Sequence, residues 1–205
     1  MSNEMTIWTT LRAAGMTEAG TAGLMGNLKA ESALIPNNLQ NTYERKLGYT
    51  DATYTAAVDN GSYTNFARDA AGYGLAQWTY HTRKAALLAY AKAQKKSIGD
   101  LGMQLDFLVK ELRESYPAVW KTLTTTSSVR AASDAVLLQF ERPADTSERV
   151  RKLRAGFGET FLDQLGGTTV QETSPVTPPC PTAKTISGTL VIDGTTYRIS
   201  GEAVS

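Results

Sequence analysis

Glu31 carries the clearest chemical implication in this sequence. It follows Leu24 and Leu28 at i, i+4 and i+7 in a helix predicted over 18–31. Its carboxyl group is therefore expected on an otherwise apolar face, toward the core or a cleft wall. Desolvation disfavours a carboxylate there, and the negative end of the helix dipole acts in the same sense. A glutamic acid that keeps its proton near neutral pH is what protonation of a leaving oxygen requires. On pattern alone the position better suits a helix-end glutamate that meets water or pairs with Lys29 or Arg45.

The second group of interest is the segment from Asp69 to Thr79, which contains Gly72, Tyr73, Gly74, Gln77 and Trp78 and is followed by Tyr80. Two glycines two residues apart let a backbone approach a ligand closely, and Gln77 offers both an amide donor and an acceptor. Tyr73, Trp78 and Tyr80 are flat faces on which a sugar ring can stack. The alternative is a glycine-containing hairpin whose aromatics fill the core. The spacing is not a dinucleotide fingerprint, because no strand–GxGxxG–helix order surrounds it.

The rest of the inventory mostly excludes. With a single histidine, His81, and a single cysteine, Cys180, the chain cannot build a closed zinc or iron–sulfur site, which takes about four such ligands, or a disulfide framework. No cofactor or metal is implied, so proton transfers fall to carboxylates, lysines, tyrosines or His81. His81 reads as a surface residue ahead of a helix, Cys180 has no base beside it, and Glu141 before Arg142 and Pro143 reads as a structural partner for an arginine. Arg83, Lys84, Lys92, Lys95 and Lys96 run without an intervening acid, which suits a solvated face or an anionic polymer. The formal net charge is +1, divided as +2 over residues 1–165 and −1 over the remainder. Neither part has the basic excess of a nucleic-acid binder. No apolar stretch approaches the roughly 18 residues of a membrane span, and Met1 to Thr10 does not resemble an export signal. A protein made in the cytoplasm, with neither membrane nor nucleic acid as partner, is expected.

Positioning these residues requires a mostly helical first part. Thr82 is expected to cap a helix over 83–95, and Asp100 to open one whose Leu101, Leu105, Leu108 and Leu112 form a stripe. A further helix starts at Ser127 or Ser128 and ends at Pro143. Asp145 to Glu148 reads as a capping box for a last helix that stops at Gly166. Residues 37–79 are polar and glycine-punctuated, which predicts loops or a short hairpin. Three regions follow: a helical domain over 1–165, a Thr/Pro-rich linker over 166–185, and a β-hairpin appendage over 186–205 with its turn at Asp193 and Gly194.

Taken together, Gly26 to Ser32, Asn37 and Asn38, Asp69 with Gly72 to Thr79, Arg83 and Lys84, Gln104 to Leu108, Glu111 and Phe140 to Pro143 resemble the phage tail lysozyme family. This is a branch of the lysozyme-like superfamily, and its Glu-Ser and Gly-Leu-Ala-Gln steps are similar to elements of goose-type lysozymes and lytic transglycosylases. The resemblance spans Met5 to Leu165 and not the tail. It implies a mainly α, lysozyme-like α+β domain that cleaves the β-1,4 glycan of peptidoglycan, with Glu31 matching the catalytic acid and Gln77 the substrate-contacting glutamine. It also implies glycan strands as partner and a setting in a phage tail, beside other tail proteins, or in a released endolysin. The interval between Glu31 and Gly74 is longer than in typical transglycosylases. Residues 43–68 are therefore insertion-like, and Tyr43, Tyr49, Tyr54 and Tyr63 are expected either to wall the glycan groove or to pack.

Inverting hydrolysis needs a second carboxylate roughly 6.5–9.5 Å from the acid to activate water, and a retaining nucleophile would sit near 5 Å. Asp69 is the candidate, with Asp51 and Asp59 in reserve. Without such a carboxylate, attack by the muramic acid 6-hydroxyl gives the lytic transglycosylase outcome, and participation of a substrate acetamido group is a third route. An N-acetylglucosaminidase and a non-catalytic wall-binding or tail-structural module are the remaining alternatives.

Overall fold

A computed structural model describes residues 2–167 and the backbone of two strands, 185–192 and 195–202. The chain divides into two units, Met1–Val170 and Gln171–Ser205. Most of the expected linker, with Cys180, and the expected turn at Asp193 and Gly194 lie outside the described residues. In the second unit, β1 (Thr185–Ile192) and β2 (Thr195–Glu202) pair antiparallel, with Ile192 opposite Thr195.

The described part of the first unit is mainly helical, as expected. Its centre is α2 (Glu18–Ser32), in which every residue from Ala19 to Leu28 is buried. A helix apolar or small on all sides has to be wrapped by others. α2 is packed by α1 (Asn3–Ala13), α7 (Pro117–Thr125), α8 (Val129–Ala135) and α9 (Glu148–Leu165). Its small residues permit this: a methyl at Gly20 would lie 1.9 Å from the Leu123 carbonyl oxygen, and one at Gly23 2.5 Å from Ala132 Cβ. α5 (His81–Gln94) and α6 (Leu101–Ser115) pack together, and the expected α6 stripe is buried at Leu105, Leu108 and Leu112, with Leu101 half-buried at the helix start.

The caps refine the expected boundaries. Asp100 and Ser128 cap α6 and α8 through their side chains. α5 begins after Tyr80 with no side-chain cap, so Thr82 does not fill that role, and α9 is capped by Ser147 rather than by Asp145. Asp145 instead accepts the Ser147 amide, one step outside the helix. The helix ahead of Pro143 ends as a π-helical turn, Val136–Glu141, closed by Arg142 in the left-handed region at φ 50°. Residues 37–79 are more regular than expected: α3 (Asn41–Leu47) and α4 (Asp51–Asp59) lie within them, and α4 is nucleated by a reciprocal Thr50–Thr53 capping box. Among the described residues, no helix is long and apolar enough to cross a membrane.

Candidate functional site

Glu31 lies one residue before the end of α2, where the chain leaves the helix through two consecutive left-handed residues, Ala33 (φ 53°) and Leu34 (φ 64°). Ser32 anchors this turn by donating to the carbonyl oxygens of Leu28 and Leu75, the latter at 2.8 Å, which ties the helix end to the glycine-rich segment. Glu31 keeps 19 % of its side chain exposed and pairs with neither Lys29 nor Arg45. Its partner is Arg154 of α9, whose Nη2 lies 2.5 Å from Glu31 Oε1. Arg154 Nη1 donates to Asn27 Oδ1 at 3.2 Å, and Asn27 is itself fixed by donating to Gly23 and Ser133. The meeting depends on close helix contact, since a methyl at Gly26 would lie 2.2 Å from the Arg154 carbonyl oxygen. Among the described residues, Glu31 Oε2 accepts no hydrogen bond.

The glycine-rich segment forms a tight turn whose aromatics divide. Tyr73 and Trp78 are fully buried. Trp78 donates its indole N–H to Glu111 at 2.9 Å and the Tyr73 hydroxyl meets Thr55, so neither ring presents a face to a sugar. Burial also pushes the Tyr73 phenol upward. Tyr80 is 64 % exposed and lies against His81. Tyr43 is half-buried under Lys46. Tyr49, Tyr54 and Tyr63 pack on one another.

Gly74 has a left-handed φ of 77°, and a methyl there would strike the buried Gln104 amide. Its use is this packing, because Gln104 accepts the Leu75 amide and donates to the carbonyls of Pro36 and Ile98. Gln77, half-buried with a strained φ of 43°, gives its amide N–H groups to Asn38 and the Gly74 carbonyl.

Asp69 is placed where water activation finds no support. Its side chain is 1 % exposed and 2.5 Å from the Lys84 ammonium. One oxygen also accepts the Ala71 amide, and the other accepts the hydroxyls of Tyr54 and Tyr63. With four donors already bound, the carboxylate has no direction left for a substrate water. Burial pushes the Lys84 ammonium down against the pull of Asp69, and burial followed by Asp69 pushes the Tyr63 phenol up to about 12. The reserves are occupied as well: Asp51 accepts the Leu39 amide, and Asp59 accepts Ser97 and the Ile98 amide. The cationic run divides: Lys84 lies on Asp69 and Arg83 is held by both oxygens of Glu111 at 2.7 and 2.8 Å, whereas Lys92, Lys95 and Lys96 are exposed.

Glu141 is the residue whose expected role fails. Among the described residues no ion pair reaches it, and its buried Oε1 has no hydrogen-bond partner. It ends the π-helical turn, which packs against α2. Burial, then the Glu31 carboxylate, pushes its carboxyl group up to about 8, while Arg83 and Arg154 pull the other way. A cavity of about 470 Å³ between α5 and α6 includes Arg83 and Glu111 but neither Glu31 nor Gln77. Among the described residues no three His, Cys, Asp or Glu side chains converge as a metal site.

No curated protein matches the chain in sequence. The sequence model of the phage tail lysozyme family matches residues 2–162, which include α1 to α8, the π-helical turn and most of α9. On that match, together with a helical domain that holds a glutamate at the end of its central helix, the chain belongs to the phage tail lysozyme family.

Proposed function

We propose that this protein is a muramidase that cleaves the β-1,4 bond on the reducing side of muramic acid, with Glu31 as the general acid. The family implies a lysozyme-like glycosidase acting on peptidoglycan. The observation that carries the residue assignment is the state of Glu31: partly exposed at the end of a buried helix, with one oxygen gripped by Arg154 and the other oxygen unbonded among the described residues. In this reading Glu31 Oε2 gives its proton to the glycosidic oxygen as the C–O bond breaks. Gln77 and Gly74 shape the turn beside it, and Tyr80 and Tyr43 are the aromatic faces left for the glycan. Asp69 holds the loop through Lys84. The setting is a phage tail, where the enzyme opens the wall locally, or a released endolysin.

A second reading is favoured by the four donors on Asp69. With that carboxylate engaged, the muramic 6-hydroxyl is the nearest alternative to an activated water, and the same bond is then broken by transglycosylation. Digestion of purified peptidoglycan, with mass spectrometry of borohydride-reduced fragments, separates the outcomes. Reduced muramic ends support hydrolysis, anhydro-muramic ends the transglycosylase, and reduced glucosamine ends a glucosaminidase. Binding without release of soluble sugar would favour a wall-binding module. If Glu31→Gln releases as much sugar as the wild type, the assignment of the acid is wrong.

A further inference from the structure

The ion pairs around Glu31 leave one acidic group over. Two guanidinium groups, Arg154 of α9 and Arg83 of α5, are each already claimed by a carboxylate, Glu31 of α2 and Glu111 of α6. All four of these charges act on Glu141, which has a buried oxygen that no described group satisfies. Phe140, the residue before it, is wedged between the Arg83 guanidinium at 4.5 Å and the Tyr116 ring at 5.0 Å, so the π-helical turn is held against α5 and the junction of α6 and α7 as well as α2. Three carboxylates against two guanidiniums carry an excess negative charge in a place with little water, and retention of one proton removes it. A salt-bridged Glu31 needs to be a carboxylate, whereas a proton donor needs to be an acid. A nearby carboxyl group that holds the extra proton reconciles the two.

We propose that Glu31 and Glu141 titrate as one pair that retains a single proton at neutral pH, with Glu141 as the positioning residue that keeps this proton within reach of the acid. The proton rests chiefly on Glu141, and the form with the proton on Glu31 is the reactive one. In the bond-breaking step that proton moves to the leaving oxygen, which takes the C–O electron pair. The water or hydroxyl that captures the sugar then returns a proton to the pair. Burial, followed by the Glu31 charge, raises the Glu141 carboxyl group well above the usual range, which agrees with this distribution.

The inference rests on Glu31 as the acid, but its first test needs no substrate. In the full chain labelled with carboxyl-13C glutamate, the wild type is expected to show a carboxyl titration step above neutral pH. Glu141→Gln should abolish that step, and Glu31→Gln should move it acidward by at least one pH unit. Two carboxyls that titrate independently, each unmoved when the other is replaced, would overturn the pair. On peptidoglycan, the alkaline limb of kcat/KM in Glu141→Gln should shift acidward by one unit or more, with KM changed less than twofold. A lower rate with an unmoved limb would show a merely structural role and sink the proposal. A wild type inactive on peptidoglycan would remove the proposed function, and the carboxyl titration would still decide whether the proton is shared.

Discussion

Arg154 grips Glu31 at 2.5 Å across 123 residues of sequence, and the same guanidinium reaches Asn27 one turn earlier on α2. The two contacts fix the direction of the Glu31 carboxyl group, because Asn27 is fully buried and fastened to Gly23 and Ser133. A lysine carries the charge but not the fork that spans both acceptors. Arg154→Lys is therefore expected to lower kcat by about 10–100-fold, the equivalent of one charge-assisted hydrogen bond, with KM nearly unchanged. Steady-state kinetics on purified peptidoglycan measure it. A variant with wild-type kcat would show that the orientation of Glu31 does not depend on the fork.

Asp69 offers a sharper contrast between structure and catalysis. Asp69→Asn leaves the Lys84 ammonium, whose side chain is wholly buried, without its counter-charge. Breaking such a pair costs about 3–5 kcal/mol, and for a domain of this size each kcal/mol is about 2–4 °C in Tm. A drop of about 10 °C is expected, with kcat of the folded protein at low temperature within about threefold of wild type. A general base would instead cost about 100–10,000-fold in kcat. Joint replacement by Asp69→Leu and Lys84→Met should recover much of the stability, since apolar residues of similar volume substitute well for a buried ion pair.

What was legible in the sequence follows the range of the interaction that decides it. The span of α2, the leucine stripe of α6 and the caps at Asp100 and Ser128 are local patterns, and they appear as read. The α4 helix is equally local, with Thr50 and Thr53 reciprocal and Tyr54, Ala57 and Val58 on one face, but Gly48 and Gly61 on either side carry the pattern of loops. The partner of Glu31 was beyond reach, because nothing within a helix says which distant arginine will face it. The signal that could have narrowed the choice is the spacing of Gly20, Gly23 and Gly26, which marks the α2 faces that neighbouring helices approach most closely. Trp78 and Tyr73 illustrate the other failure: an aromatic beside a glycine has the same pattern in a ligand site and in a core, and only burial separates the two.

The exposed Tyr80 therefore makes a different prediction from its buried neighbours. Its ring lies 4.7 Å from that of His81 at the start of α5. Tyr80→Ala should raise KM for glycan several-fold, from the loss of about 1 kcal/mol of ring stacking, with Tm moved by less than about 2 °C. Trp78→Ala, in contrast, should lower Tm by about 10 °C or more, because it opens a cavity and removes the buried indole N–H that Glu111 Oε2 accepts. Thermal melts beside Michaelis curves for the two variants separate recognition from packing. A Tyr80→Ala protein with unchanged KM would remove the ring from the glycan site.

The pH dependence of stability follows from Glu141, whose carboxyl group is raised from 4.5 to about 8 by burial and then by Glu31. The folded state holds this proton more tightly than the unfolded chain does. Its contribution is thus fully present below about pH 4.5 and is lost as pH rises toward about 8. Between those limits the unfolded chain has released a proton that the folded protein retains, so stability falls with pH by at most about 1.4 kcal/mol per unit. In Glu141→Gln the amide cannot ionise in either state, and this slope should vanish. Denaturant unfolding at a series of pH values from 5 to 8 is expected to show the wild type losing stability against the variant, with the variant the more stable of the two near pH 8. Parallel curves would mean that Glu141 is ionised in the folded protein. The excess negative charge beside Glu31 would then have to be balanced by water reaching the π-helical turn, and both the buried state of Oε1 and the shared proton would fall together.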